Sequence, residues 1–136
     1  IHATFRKDLV DWGKICNEIL VWDYVIQFQN LVSPFPNFST MQDNINFYIA
    51  NNVSAVFCQG NREKGGEFAE LRGYLLAKLL WNPQYDMKQE MDDFLAGYYG
   101  KAGVYIKRYI ADMEQALKKS KPYSLLLSKV YRLNPI

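Results

Sequence analysis

With 136 residues, a formal net charge of +2 and 15% aromatic residues, the chain has room for one core but lacks the basic stripe that a nucleic-acid surface needs. No apolar run reaches the roughly 18 residues of a membrane span. The two cysteines, Cys16 and Cys58, give neither a disulfide framework nor a metal spacing, and the lone His2 argues against a histidine triad or a zinc site.

In chain order, Phe5, Leu9, Trp12 and Ile15 recur at spacings of three and four and predict a helix with one apolar face. "EILVWDYVI", Glu18 to Ile26, is dense in β-branched and aromatic residues and reads as a strand buried on both faces. Pro34 and Pro36 make the next stretch a loop. Ser39-Thr40-Met41-Gln42 matches a capping box, and the helix it opens carries Met41, Ile45, Tyr48 and Ile49 on one side. "VSAVFC", Val53 to Cys58, reads as a second buried strand, followed by a polar loop from Gln59 to Gly66. Glu67 to Leu80 is periodic in Phe68, Leu71, Leu75 and Leu79, and Pro83 closes it. Asp86-Met87-Lys88-Gln89 starts a further helix that Gly97 and Gly100 end; another spans about Ala102 to Lys119; a last short one is expected at Tyr123 to Tyr131.

Strand, helix, strand in this order is the pattern of a parallel crossover unit. A parallel pair must be covered on both faces and normally belongs to a larger sheet. The expected class is therefore α/β: a C-terminal fragment of a (β/α)8 barrel with two parallel strands, residues 1–100, followed by a helical extension, residues 101–136, and mostly helical by residue count. A doubly wound sheet is the alternative. The missing strands would come from the remainder of a longer chain, which the start at Ile1 and the stop at Ile136 suggest, or from a second copy.

The glycine loop is not a phosphate cradle. Gly60 and Gly65 are correctly spaced, but Gly66-Glu67 stands where Lys-Ser/Thr is required. In a barrel, loops after the strands line the active-site face, which places Glu67 at the mouth. An acid in a first helical turn can also simply complement the helix dipole. Asp23, inside "VWDYV", must be hydrogen-bonded, paired or set at the strand's open end. At that end it could join Glu67 as the carboxylate pair of glycoside hydrolysis; bonded to backbone amides or to Arg72 it would be structural. Trp22, Tyr24, Gln59 and Arg72 are the candidate substrate contacts, with a surface ion pair as the plainer role for Arg72. Cys58 reads as an inert thiol, and Asn37-Phe38-Ser39 and Asn52-Val53-Ser54 match glycan-acceptor triplets by chance-level pattern. No cofactor or metal site is expected.

"ILVWDYV", "LVSPFPNF", "FCQGN", "GGEFAELRGYLLAKLLWNP" and "DFLAGYYGKAG" resemble a bacterial domain-of-unknown-function family, over roughly Leu9 to Met113. Its members look like carbohydrate-active barrel proteins distantly similar to alpha-glucuronidases. The resemblance implies the C-terminal side of a glycoside-hydrolase-like barrel, an oligosaccharide or polysaccharide partner, and export to the periplasm or beyond. Some relatives carry an acid just before Gln-Gly. Cys58 stands there in this chain, which leaves Asp23 and Glu67 as the candidate pair.

Overall fold

A computed structural model describes residues 3–27, 31–60 and 65–119. In chain order these form α1 (Ala3–Gly13), β1 (Ile19–Tyr24), α2 (Met41–Ile49), β2 (Val53–Gln59), α3 (Ala69–Trp81), α4 (Met87–Tyr99) and α5 (Gly103–Lys119). Short 3-10 turns, Phe38–Thr40 and Gly100–Ala102, precede α2 and α5. The predicted last helix at Tyr123 to Tyr131 lies outside the described residues, as do residues 61–64 of the predicted polar loop.

The two strands pair in parallel, as their apolar composition and the helix between them predict. Their register sets Trp22 beside Phe57, Asp23 beside Cys58 and Tyr24 beside Gln59, with an irregularity between Ile19 and Leu20. The architecture is thus mixed and mostly helical around a two-stranded parallel sheet.

The core lies on one side of this sheet. Val21 and Val25 from the β1 segment meet Met41, Ile45 and Tyr48 of α2 and Leu71, Leu75, Leu76 and Leu79 of α3. Leu95 of α4 and Ile110 of α5 extend the same cluster. Each fully buried leucine of α3 removes apolar surface from water worth about 1.5–3 kcal/mol before entropy is counted. Asp86 caps α4, its side chain accepting from the backbone N–H groups of Lys88 and Gln89, as the sequence pattern predicts. Tyr74 Oη of α3 donates to Glu90 Oε2 of α4 at 2.6 Å, and Lys78 Nζ lies 3.2 Å from the same oxygen.

Several expectations are corrected. The strand segment is not buried on both faces: Leu20, Trp22 and Phe57 are 66%, 59% and 51% exposed. Strand side chains alternate, so these share the face opposite the helices with Tyr24. Of the apolar stripe on α1 only Leu9 is buried; Phe5, Trp12 and Ile15 face outward. Ile49 is likewise exposed. The capping box does not form. The backbone N–H of Ser39 donates instead to Glu114 Oε1 of α5 at 2.9 Å, and Thr40 makes no side-chain cap. Glu67 is not in a helical turn, because Phe68 adopts a left-handed backbone (φ 47°) and α3 begins after it. That conformation costs a non-glycine residue about 1–2 kcal/mol, offset here by ring contacts of Phe68 with Tyr99 and Tyr109.

Candidate functional site

The carboxyl end of the parallel pair gathers three arrangements of polar groups. The first lies beneath the sheet. Asp23 follows Val21 and precedes Val25 on the helix-covered side, so its carboxylate sits among apolar neighbours and needs a donor. Tyr48 of α2, almost fully buried, supplies one: its hydroxyl donates to Asp23 Oδ2 at 2.9 Å. Burial, then the Asp23 charge, pushes the Tyr48 phenol well above its usual range. The same two causes, burial first, push the Cys58 thiol up to about 11. Cys58 is therefore protonated near neutrality and a poor nucleophile, as expected of it. Iodoacetamide at pH 8 should alkylate Cys58 at least about tenfold more slowly than a free thiol, and Asp23→Asn should speed the reaction. A free-thiol rate at Cys58, read by peptide mass spectrometry, would refute this burial.

The second arrangement is centred on Arg72, in the first turn of α3 and only 2% exposed. Its Nη1 donates to Asn37 Oδ1 and its Nη2 to the Phe35 carbonyl at 3.2 Å. Nη2 also lies 3.6 Å from Glu67 Oε2, which accepts the Phe35 backbone N–H at 2.9 Å. Asn37 Nδ2 donates to the Val25 carbonyl at 3.3 Å and so joins the loop to the strand end. The guanidinium stands 4.4 Å from the Phe38 ring centre. Burial lowers Arg72 to about 10, the Glu67 carboxylate acting against it, and the group stays charged at neutral pH. Among the described residues its buried Nε has no hydrogen-bond partner. A surface ion pair for Arg72 is therefore corrected to a buried loop clamp. Ile26, Gln27, Ser33, Phe35, Glu67 and Arg72 line a shallow recess beside it.

The third arrangement is the uncovered face. Trp22 packs edge-on to Phe57, ring centres 4.7 Å apart, and lies 6.5 Å from Tyr24 with the two rings tilted by 27°. Trp22 Nε1 donates to Gln59 Oε1 at 3.0 Å. Tyr24 and Gln59 form the last layer of this face at the strands' carboxyl ends.

The six candidate residues thus separate. Trp22, Tyr24 and Gln59 come together on the bare face, Glu67 and Arg72 in the loop clamp, and Asp23 beneath the sheet with Tyr48. Asp23 and Glu67 share no hydrogen-bond partner among the described residues. Tyr48, Asn37 and Phe57 were not among the candidate site residues of the sequence. A tyrosine in a buried helical stripe and an acid in an apolar strand each lack a partner, and those matching needs were the available signal for Tyr48. The side-chain amides of both triplet asparagines are engaged, Asn37 as above and Asn52 with the Gly13 and Cys16 carbonyls. Among the described residues no cluster of His, Cys, Asp and Glu could hold a metal, and no helix is long and apolar enough to cross a membrane.

A family model described as "Domain of unknown function (DUF4838)" matches residues 1–111. Neither the curated proteins nor the solved structures return a match. The matched family carries no stated activity, so a likeness to glycoside hydrolases or glucuronidases has no support from these comparisons.

Proposed function

The chain belongs to the DUF4838 family, a domain of unknown function, and on that premise we propose that it is part of a carbohydrate-active, glycoside-hydrolase-like barrel acting on oligosaccharide or polysaccharide. One observation carries the reading: a parallel strand pair clothed by helices on one side and bare on the other, with exposed aromatic side chains on the bare side. In a barrel that side faces inward and is filled by neighbouring strands, from further chain or a second copy. Leu20 and Ala55 would form its lower layer, Trp22 and Phe57 the middle one, and Tyr24 and Gln59 the rim where sugar is handled. Glu67, between β2 and α3, is the acid assigned to proton transfer in this reading. Asp23 faces the helices, and its role in this reading is to hold Tyr48 and the strand end. Such a substrate implies work in the periplasm or outside the cell.

The test is reducing-sugar release by the full-length natural protein from a polysaccharide panel. Glu67→Gln should abolish it with the circular dichroism spectrum retained; unchanged turnover would remove Glu67 from the chemistry. Asp23→Asn should chiefly lower the unfolding temperature, whereas loss of turnover at unchanged stability would return Asp23 to the proposed pair.

A second reading is a non-catalytic carbohydrate-binding module. It is favoured by the carboxylates of Asp23 and Glu67 already being engaged by Tyr48, Phe35 and Arg72. Sugar binding without product release selects it.

A further inference from the structure

The bond between Trp22 and Gln59 fixes more than a contact. An indole N–H only donates, so the Gln59 atom 3.0 Å from Trp22 Nε1 must be the carbonyl oxygen. The side-chain amide is planar, and with its oxygen held by Trp22 the orientation of its NH2 group is set. Among the described residues no group accepts those two N–H bonds. Gln59 is half-buried, sits at the carboxyl end of β2, and pairs in register with Tyr24. The rings of Trp22 and Tyr24, 59% and 40% exposed, lie on the same face. An amide held this way offers two donors, with its oxygen already accepting from Trp22, next to apolar ring surface. A sugar hydroxyl gains little preference there, because it can bond to donors and acceptors alike. An sp2 oxygen has only lone pairs to offer and is complementary to the NH2 group.

Resting on the carbohydrate reading above, we propose that Gln59, oriented by Trp22, is a specificity-determining residue that selects sugars bearing an sp2 oxygen substituent, a carboxylate or an acetamido carbonyl. The sugar ring lies against Tyr24, and its substituent oxygen accepts from Gln59 Nε2. Trp22, one layer below, acts as a positioning residue. An acidic side chain at position 59 would keep the bond from Trp22 but replace the donors with a repelling oxygen.

The experiment is a calorimetric or NMR titration of the full-length natural protein with three matched monosaccharides: a neutral hexose, its uronate and its 2-acetamido derivative. At least one derivative should bind roughly three- to tenfold more tightly than the hexose, the span of one added hydrogen bond. Which one does so tells carboxylate from amide carbonyl. Gln59→Ala and Trp22→Phe should each bring that affinity ratio towards one. Trp22→Phe keeps a smaller aromatic ring and deletes the N–H that orients the amide. The readout is a ratio between matched ligands, so a general loss of affinity leaves it unmoved. A ratio that survives both substitutions overturns the proposal, as does a wild-type preference for the neutral hexose. If sugars bind without preference, the carbohydrate reading stands and the role of Gln59 falls. If no sugar binds the wild type at millimolar concentration, the carbohydrate reading itself fails and takes this inference with it.

Discussion

Replacing Arg72 with alanine should lower the stability of the domain by about 3–5 kcal/mol, the cost of removing one member of a buried charged network. The substitution leaves Asn37 Oδ1, the Phe35 carbonyl and the Glu67 carboxylate without their shared donor. It also removes the packing of the side chain against Phe38. A domain of this size has only about 5–15 kcal/mol in hand, so the unfolding midpoint in urea should move visibly. The clamp is not an optimal device, however. Among the described residues the buried Nε of Arg72 has no hydrogen-bond partner, and burial lowers the guanidinium pKa. An apolar replacement that also removes the opposing charge, Arg72→Met with Glu67→Gln, should therefore lose much less than Arg72→Ala alone. A single-mutant loss below about 1 kcal/mol, the worth of an exposed pair, would show that the clamp is not buried in solution. The lowered pKa adds its own pH signature. The unfolded chain keeps the proton longer, so this group's contribution is flat below pH about 10 and rises from there towards the higher ordinary value of a guanidinium.

Gly103→Ala should be nearly as damaging, for a reason that involves no charge. Gly103 opens α5 directly against α4, and an added Cβ would stand 2.6 Å from the Leu95 carbonyl oxygen and 2.9 Å from its carbon. Backbone cannot give way as a side-chain tip can, so α5 must lift from α4. The expected loss is about 3 kcal/mol, at the upper end of ordinary overpacking. Gly97, inside α4, is the control. A Cβ there meets nothing within 4 Å, and Gly97→Ala should gain up to about 1 kcal/mol from helix propensity alone. Differential scanning calorimetry on the two variants should show shifts of opposite sign. Equal shifts would mean that the α4–α5 contact is looser than described.

The contrast between what the residues announced and what the fold does with them has physical causes. Both strands and their pairing were legible because β-branched and aromatic runs of that length have few other uses. Their double burial was not, because a hydrophobic run reports what a strand needs covered and not what its neighbours supply. Leu20, Trp22 and Phe57 carry that unmet need. Arg72 was misjudged from its charge, although the spacing was informative. It stands four residues before Leu76 and seven before Leu79, squarely in the buried stripe of α3. The capping box failed because α5 supplied a competing acceptor, Glu114, from 75 residues away, a tertiary choice no local motif records. Asp23 was correctly flagged as an acid in need of a partner. Its direction depended on strand phase, and one position decides between the bare face and Tyr48.

The bare face has a consequence for handling the protein. Its six side chains, Leu20, Trp22, Tyr24, Ala55, Phe57 and Gln59, include no lysine, glutamate or proline of the kind that natural edge strands use as gatekeepers. Each strand also turns one row of amides and carbonyls away from its partner. Concentrated by itself, the domain offers incoming chains a ready edge and a greasy flank together, and molecules can add from both sides without closing a ring. Sedimentation should therefore find growing, non-stoichiometric oligomers, and a lysine in place of Phe57 should arrest them.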